Sequence, residues 1–288
     1  MASLPDVPEL PEVESVRRQL VPRLTGRRVE QVWWDRHPKA RFHAVSRLAG
    51  RTISSVERRG KFLVLPLTGA ADHEQLELIL HLGMTGSLRF VGPRSDPTPG
   101  PETDLSHVRA RLELDDGSIL LFRDPRRFGR VSVVPSGRYA GVVPTLAVIG
   151  PEPLSPEFGV DGFATALART TAPIKARLLD QRLVAGIGNI YADEALWLAR
   201  IHPASRRVGR ARAARLHAAI VAVLTAAIER EGTTFRDYQM VNGASGRYAD
   251  HLEAYGRAGL PCRRCGTTLQ RRVIAQRGTT FCPRCQRA

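Results

Sequence analysis

Lysine and cysteine are scarce in this sequence, and long apolar runs are missing. The only lysines are Lys39, Lys61 and Lys175, so nearly all of the positive charge is arginine. No apolar run approaches the roughly 20 residues that span a bilayer. The first residues have neither the basic flank nor the apolar core of a secretory signal. We therefore expect a cytoplasmic protein with no membrane partner.

The charge of the chain has one dominant sign. The formal net charge is +15 and the isoelectric point is about 10.9. Such an excess favours a polyanionic partner, usually nucleic acid. A basic protein of the membrane surface is the alternative, but no basic amphipathic helix supports it. The arginine bias is typical of a GC-rich genome, and it draws attention to the few lysines, because an amine does chemistry that a guanidinium cannot.

The N-terminal half has the pattern of a β-rich domain in a chain long enough for two domains or more. A first helix is expected to end before Pro22. In the stretch 76–82 every even position is leucine, which predicts a strand with one buried face. An antiparallel sandwich or barrel is therefore indicated. The strands are expected at 29–35, 53–58, 61–67, 76–82 and 88–91, with a hairpin at 108–114 and 118–122, and a flexible loop at 91–101.

The C-terminal half changes to helical periodicity after a Gly-Pro-Glu-Pro sequence at 150–153. Helices are expected at 173–181, 189–201 and about 210–231. The loop Gly186-Ile187-Gly188-Asn189 joins the first two. Its glycines allow a close approach of the backbone, and the following helix N-terminus could offer N–H groups to a phosphate. A plain tight connection between helices is the alternative.

All four cysteines of the chain lie in two C-x2-C pairs near the C-terminus. Two such pairs, sixteen residues apart, are typical of a zinc ribbon, because each pair places two thiolates on one side of the metal. Four thiolates close the coordination sphere, so one structural zinc ion is expected. Disulfides are the alternative, although nothing suggests an oxidising compartment. Six nearby arginines give the ribbon a basic surface suited to DNA. The expected metal ligands are Cys262, Cys265, Cys282 and Cys285.

The stretch Pro8–Glu14 near the N-terminus places a proline beside carboxylates. As a chain terminus, Pro8 would carry a secondary amine that can attack an aldehyde-type carbon and form an iminium. Glu9 could then transfer protons, and Glu12 could hold the geometry. The alternative is a plain helix start with acids near the positive end of its dipole. In the sequence as written, Pro8 is internal, and an amide nitrogen cannot do this chemistry.

Several further motifs occur with the Pro8 stretch in a fixed order. Together they resemble the formamidopyrimidine-DNA glycosylase (Fpg) family of bacterial base-excision repair. The related endonuclease VIII branch typically has Gly where this chain has Leu10. Leu10 and the intact ribbon therefore favour the Fpg branch. The motifs are PELPEVE (8–14), RRGKF (58–62), HLGMTGSL (81–88), DPRRFG (124–129), GPEPL (150–154), GIGNIYADEALW (186–197), EGTTFRDY (231–238), YGRAGLPCRRCG and AQRGTTFCPRCQ.

The resemblance implies an α+β fold, with an N-terminal β-sandwich domain and flanking helices, then a C-terminal helix-two-turn-helix module plus a zinc ribbon. The expected domains are 8–145, 150–245 and 255–288, with DNA between them. The implied function is a bifunctional glycosylase and AP lyase that removes 8-oxoguanine and formamidopyrimidines from double-stranded DNA and nicks the strand by β,δ-elimination. The implied enzyme is a cytoplasmic, nucleoid-associated monomer. An endonuclease VIII-like pyrimidine glycosylase is the same-class alternative.

The resemblance also assigns roles to individual residues. Pro8 matches the Schiff-base nucleophile and Glu9 the proton donor and acceptor. Lys61 matches the lysine that contacts the phosphate beside the lesion, and Arg277 the ribbon arginine tied to δ-elimination. The remaining residues match DNA contacts: three fill the gap left when the damaged base is flipped out, and two hold the backbone. They are Met84, Arg126 and Phe128, then Lys175 and Asn189.

Two departures from the family pattern stand out. Where the family often has His-x-His before the third strand, this chain has Leu105-Ser106-His107, so that contact is absent or passes to His107. The second departure is the stretch 1–7, which would acylate Pro8. We expect it to be a misassigned start, because Val7 can be read as a GTG initiation codon, or a segment removed by proteolysis. If Pro8 stays acylated, a non-catalytic zinc-dependent DNA-binding protein is expected instead.

Overall fold

The computed structural model describes residues 7–69, 74–92, 106–233 and 247–287. Contacts divide these residues into two compact units: 12–69, 74–92 and 106–147 form the sheet unit, and 7–11, 148–233 and 247–287 form the helical unit. The sequence had assigned residues from 8 onward to the sandwich domain, whereas residues 7–11 group with the helical unit. Predictions for 1–6, for most of the 91–101 loop, for Leu105 and for 234–238 lie outside the described residues.

The sheet unit contains ten strands among its described residues, in two sheets. One has the order β1-β8-β9-β7, and the other has the order β2-β10-β6-β5-β3, with β4 paired to β5. These pairs are antiparallel except for β2 with β10, so the predicted antiparallel sheets are confirmed. The strands are β1 Val29–Trp34, β2 Arg41–His43, β3 Thr52–Ile53, β4 Glu57–Arg59, β5 Phe62–Thr68, β6 Leu76–His81, β7 Ser87–Val91, β8 Val108–Leu114, β9 Ile119–Arg123 and β10 Arg130–Pro135.

Strand β6 is buried on both faces, and the prediction of a single buried face was wrong. Its leucines lie in the core, but Glu77 and Ile79 are also buried. The strand lies between β5 and β10 in the interior of the sheet. Glu77 is tolerated there because Ser136 Oγ and Tyr139 Oη each donate a hydrogen bond to its carboxylate at 2.7 Å.

Helix α1 runs from Leu10 to Leu24 and continues through Pro22, so the predicted end before Pro22 was wrong. Proline removes one N–H from the helix ladder. Leu20 and Leu24, on either side of it, are fully buried in the core. Burying a leucine is worth about 1.5–3 kcal/mol, which offsets the lost hydrogen bond in the last turn.

Glu14 on α1 is the centre of an arginine cluster in the sheet unit. Its carboxylate accepts hydrogen bonds from Arg17 at 2.8 Å, Arg18 at 3.0 Å and Arg58 at 3.2 Å. Burial raises the pKa of Glu14, but these three guanidinium groups outweigh it and lower the pKa from 4.5 to about 2. The cluster therefore ties α1 to β4 through an ionised carboxylate.

We expect Glu14→Gln to lower the free energy of unfolding at pH 7 by about 2–3 kcal/mol. Because the folded pKa lies below the unfolded value, the carboxylate stabilises the protein above about pH 4.5, and this contribution is lost as the pH falls to about 2. Urea unfolding should show the two proteins converging over that range. Glu30→Gln, which removes an exposed pair with Arg28, is the control. Equal stability of Glu14→Gln and wild type at pH 7 would contradict the assignment.

The sheet unit ends with the short helix α2, Pro144–Ala147, and the helical unit follows. The predicted helices at 173–181, 189–201 and 210–231 are confirmed with slightly shorter bounds. Two further helices, α2 and α3, were missed, as was the pairing of β2 with β10. The elements are α3 Val160–Ala168, α4 Ile174–Leu179, α5 Asn189–Leu198, α6 Arg210–Glu229, β11 Gln270–Ile274 and β12 Arg277–Phe281. Helix α5 packs against α4, α6 and β12 and so connects the helices to the ribbon.

Helix α6 has the length and apolar composition of a membrane span, with a mean hydropathy of 1.5 over its most apolar window. It is the one helix of this kind in the described part of the chain. Within that window 44% is buried inside the protein, and the helix packs against α3 and α5. A core helix meets the same criteria, and here the apolar stripe forms the interior of the helical unit.

Candidate active site and metal centre

The Glu9 carboxylate is buried at the N-terminus of α5. It accepts backbone N–H bonds from Gly188 at 2.6 Å, Ile190 at 2.8 Å and Tyr191 at 3.4 Å. The first N–H groups of a helix have no partner inside the helix, and its dipole favours a negative charge there. These three donors are the groups predicted to be available to a phosphate. These N–H groups bind the Glu9 carboxylate instead, so the predicted phosphate contact was wrong for them.

Two glycines make room for this arrangement. A Cβ on Gly188 would lie 2.5 Å from Glu9 Oε1, well inside van der Waals contact. A Cβ on Gly186, which has φ +81°, would lie 2.6 Å from Leu10 Cβ, and the Gly186 carbonyl accepts the Leu10 N–H at 3.0 Å. The predicted close approach of the backbone is therefore confirmed: the glycine loop lies directly against Glu9 and Leu10 of the N-terminal stretch. Pro8 is also buried, and the bonds of its neighbour Glu9 hold it at the N-terminus of α5.

Asn189 is the first residue of α5 and therefore lies beside the Glu9 carboxylate. Its side-chain oxygen is buried and has no hydrogen-bond partner among the described residues. A buried amide oxygen without a partner is uncommon and calls for an explanation such as a ligand. The predicted contact of Asn189 with the DNA backbone stays a prediction, and it would have to use the side-chain NH₂ group, because a phosphate oxygen cannot donate to this amide oxygen.

Lys175 does not reach the surface, which contradicts its predicted contact with the DNA backbone. Its side chain is fully buried, and Nζ donates to Asp193 Oδ1 at 2.6 Å, Thr279 Oγ1 at 2.9 Å and the Gly278 carbonyl at 3.1 Å. Asp193 also accepts the Thr280 N–H at 2.8 Å. The lysine thus joins α4, α5 and strand β12 of the ribbon through a satisfied buried ion pair.

We expect Lys175→Met to lower the free energy of unfolding by about 3–5 kcal/mol, because it leaves the Asp193 carboxylate buried without a counter-charge. The dependence of DNA affinity on salt should stay as in wild type. A phosphate contact at Lys175 would instead reduce the slope of log K against log salt by about 0.9. Lys39→Met, at an exposed lysine, is the control. A reduced slope for Lys175→Met with normal stability would restore the DNA-contact assignment.

Glu194 makes a second connection between α5 and the C-terminal segment. Its carboxylate accepts the backbone N–H groups of Glu253, Ala254 and Tyr255 at 2.9, 2.9 and 2.8 Å. Burial raises the pKa of Glu194 to about 7, against the opposing effect of these three donors. The segment that leads into the first cysteine pair is therefore positioned directly by α5.

The four cysteines form a compact cluster at the end of the ribbon. Their Sγ atoms all lie within 4.8 Å of one another, and Cys265 Sγ is 3.5 Å from Cys282 Sγ. A tetrahedral zinc ion with Zn–S bonds of about 2.3 Å needs sulfur atoms about 3.8 Å apart. The donor set therefore fits one zinc ion held by four thiolates. Such an ion has no open position for substrate and is structural.

Arg277 begins strand β12 directly after the tip of the ribbon hairpin. The tip is the dipeptide Ala275-Gln276, and both of its residues have positive φ, 50° and 59°, as a type I′ turn requires. The Arg277 side chain is exposed, and its guanidinium donates only a 3.3 Å hydrogen bond to the Gln276 carbonyl among the described residues. This geometry is compatible with the predicted role at a phosphate.

In the sheet unit, the structure brings Met84, Arg126 and Phe128 together. A Cβ on Gly83 would lie 2.6 Å from the Phe128 carbonyl carbon, so the turn that carries Met84 packs on the loop that carries the other two. The Arg126 guanidinium stacks over the Phe128 ring at 4.7 Å, and Phe128 is 38% exposed. An exposed aromatic, a cation and a thioether on one surface suit the predicted gap-filling role.

The buried Asp124 holds these two loops together. Its carboxylate accepts Thr85 Oγ1 at 2.5 Å, the Gly129 N–H at 2.7 Å and the Arg126 N–H at 3.2 Å. Each of these is a hydrogen bond to a charged acceptor, and such bonds are about twice as strong as neutral ones. The loop conformation that presents Arg126 is therefore well determined.

Lys61 is half-buried in the turn between β4 and β5 and acts electrostatically on His81, a residue not predicted from the sequence. Burial, then the charges of Lys61, Arg130 and Arg41, lower the pKa of His81 to about 4. His81 Nδ1 accepts the Gly83 N–H at 3.1 Å, so the imidazole is neutral and borders the Met84 turn. The signal in the sequence was a histidine at the end of a leucine-rich strand, directly before a glycine turn.

Three family models match the chain. A formamidopyrimidine-DNA glycosylase N-terminal domain matches residues 7–131, and a formamidopyrimidine-DNA glycosylase H2TH domain matches residues 149–239. A zinc finger found in FPG and IleRS matches residues 259–288. The predicted zinc ribbon is therefore confirmed over the cysteine cluster, and the two large matches follow the order of the predicted modules.

The chain is similar in sequence and fold to known relatives. The formamidopyrimidine-DNA glycosylase of Deinococcus radiodurans is 44% identical over 288 residues, which cover 97% of each chain. The crystal structure of the MutM (Fpg) protein from Thermus thermophilus matches with a TM-score of 0.84 at 45% identity, over 97% of this chain and 98% of that one. A complex of a Lactococcus lactis FPG mutant with Fapy-dG-containing DNA matches with a TM-score of 0.83 at 34% identity, over 98% of this chain and 100% of that one.

Proposed function

The chain belongs to the formamidopyrimidine-DNA glycosylase family, and from that premise we propose which of its residues remove the base and cut the strand. It is a DNA glycosylase for oxidised purines with the AP lyase activity typical of the family. The observation that carries the assignment of roles is the Glu9 carboxylate, buried at the N-terminus of α5 and directly next to Pro8. This position holds one carboxylate rigidly beside the proposed nucleophile.

Pro8 supplies the nucleophile in this proposal. Its secondary amine attacks C1′ of the damaged nucleotide and loses its proton as the bond to the base breaks. The C1′–O4′ bond then opens, O4′ takes up a proton, and an iminium joins the protein to the opened sugar. The iminium withdraws electrons, so a C2′ proton is lost and the C3′ oxygen leaves with its phosphate, which cuts the strand. The amine must be free for this, so the proposal includes a mature chain that begins at Pro8.

Glu9 moves the protons in this sequence. A carboxylate can take a proton from the attacking amine and return it to the leaving base or the opened sugar. Three backbone donors fix its position, so little reorganisation is needed between steps. A group fixed in its working geometry is more effective than a mobile one.

The other residues bind DNA. Lys61, Arg277 and Asn189 hold phosphates around the lesion, and Arg277 assists the second elimination. Met84, Arg126 and Phe128 occupy the gap left by the flipped nucleotide. Lys175 takes no part in binding, because it is buried in the ion pair with Asp193. The enzyme acts as a monomer in the cytoplasm, associated with the nucleoid.

The experiment is an assay of the chain begun at Pro8 on two duplexes, one with 8-oxoguanine and one with thymine glycol. We expect excision and nicking of the first and a covalent adduct after borohydride reduction. Excision of thymine glycol alone would assign the enzyme to oxidised pyrimidines. Binding of both duplexes without an adduct would show a non-catalytic DNA-binding protein.

A further inference from the structure

Six arginines line a concavity at the cysteine end of the ribbon. It has a volume of about 760 Å³ and is also lined by Cys265 and Cys285. We call these six residues the arginine basin. They come from the segment after α5, from the start of α6 and from the two cysteine loops, and all belong to the helical unit. The basin consists of Arg200, Arg212, Arg215, Arg264, Arg284 and Arg287.

The basin contains no balancing carboxylate. Among the described residues, none of its six guanidinium groups makes an ion pair, and no acidic residue lines it. Two are fixed by neutral acceptors instead: Arg212 donates to the Arg287 carbonyl at 2.9 Å, and Arg264 donates to the Trp197 carbonyl at 3.1 Å and stacks on its ring at 4.0 Å. Burial, then the charge of Arg215, lower the pKa of Arg212. The protein thus holds like charges together without a counter-charge of its own.

The zinc centre does not account for this concentration of charge. A divalent zinc ion with four thiolates has a formal charge of −2, which attracts nearby cations. Six guanidinium groups exceed that charge by about four. An external anion is needed to balance the surplus when the basin is desolvated.

The basin is remote from the catalytic groups of the same unit. Arg200 follows the C-terminal end of α5, whereas Glu9 and Asn189 lie at its N-terminal end, and ten helical residues span about 15 Å. One cysteine loop precedes β11 and the other follows β12, so both lie at one end of the β11–β12 hairpin, and Arg277 lies at the other end, about 15 Å away along five residues. The distances along α5 and along the β11–β12 hairpin both place the arginine basin at the end opposite Glu9, Asn189 and Arg277.

We propose that the arginine basin binds the phosphate backbone of a second DNA segment, apart from the one that carries the lesion. Guanidinium groups match phosphate oxygens in charge and geometry, and the open concavity admits a strand rather than enclosing a small molecule. A second site lets the enzyme contact a new segment before it leaves the first. Free polyphosphate offers the same chemistry and is separated by the experiment. The proposal relies on the proposed function only for binding of the first duplex.

The experiment uses the zinc-loaded full chain saturated with a short duplex that contains an abasic-site analogue. A labelled undamaged duplex is then added, and its binding is measured against salt. We expect the second duplex to bind, and Arg200→Gln/Arg215→Gln to weaken it about tenfold or more and to lower its salt slope by about 1.8. The Arg200→Lys/Arg215→Lys variant keeps the charge and should retain most of the binding.

Arg138→Gln/Arg169→Gln is the matched control, since it removes the same charge at exposed arginines outside the basin. Equal weakening by both glutamine variants, or no binding of a second duplex, would overturn the proposal. Zinc loss in the basin variant would overturn it as well, because the basin would then serve only the metal centre. If tripolyphosphate stabilises wild type but not the basin variant while no second duplex binds, the site takes free polyphosphate and the DNA assignment is wrong. Failure of the first duplex to bind would instead count against the proposed function.

Discussion

A chain that begins at Pro8 is expected to form a borohydride-stable adduct with 8-oxoguanine DNA, and the chain with residues 1–7 attached is expected to form none. The difference should exceed about 10³-fold, because an acylated nitrogen has no lone pair free to attack C1′. Both proteins contain the same Glu9 site, so both should bind an abasic-site analogue. The measurement is the yield of adduct, with the N-terminal residue of each preparation sequenced in parallel.

Pro8→Gly in the shorter chain is the companion variant. A primary amine can also form an imine, so some adduct should remain, although glycine does not reproduce the ring geometry at the end of α5. An adduct formed by a preparation that still begins at Met1 or Ala2 would contradict the assignment of Pro8 as the nucleophile. The nucleophile would then have to be another amine, and Lys61 would be the first to test.

Gly188→Ala is expected to reduce excision of 8-oxoguanine by about 10²-fold or more while the protein stays folded and zinc-loaded. The φ of Gly188 is −127°, which alanine adopts freely, so the effect comes from the new Cβ. That atom would lie 2.5 Å from Glu9 Oε1 and would push the carboxylate away from its three donors. A misplacement of about 1 Å can cost this much in rate.

Two comparisons make this result specific. Gly162→Ala lies in helix α3 with open space around the added Cβ, and it should leave excision unchanged while stabilising the helix by about 0.5–1 kcal/mol. Glu9→Gln should bind the lesion but excise it poorly, as Gly188→Ala does. Full activity of Gly188→Ala would show that the carboxylate works elsewhere than at the end of α5.

Much of the fold follows from patterns of spacing in the sequence. Alternating apolar residues gave β8 and β9, helical periodicity gave α4, α5 and α6, and paired cysteines gave the metal centre, because each pattern is set by local geometry. The short strand β2 carries no such pattern, since its three residues pair with β10 from far along the chain. Helix α1 continues through Pro22 because the burial of Leu24 outweighs the hydrogen bond that proline removes from the helix.

The candidate site was harder to predict than the fold, because its key contacts are not local. The motif at residues 8–14 identified Glu9, but nothing near it in sequence showed that the N–H groups of α5 would hold its carboxylate. Lys175 illustrates the opposite error. The family resemblance matched this lysine to a contact with the DNA backbone, whereas its side chain is buried in an ion pair with Asp193, 18 residues away.

The pairing of Glu9 with α5 also sets when the enzyme can first work. The carboxylate and its donors are 179 to 182 residues apart, and at ribosomal speeds of about 5–20 residues per second their synthesis is separated by roughly 10 to 40 s. During that interval Glu9 and the proposed nucleophile Pro8 have been synthesised, but the N–H groups that hold the Glu9 carboxylate have not. A product that terminates before α5 therefore lacks the donors that fix the Glu9 carboxylate.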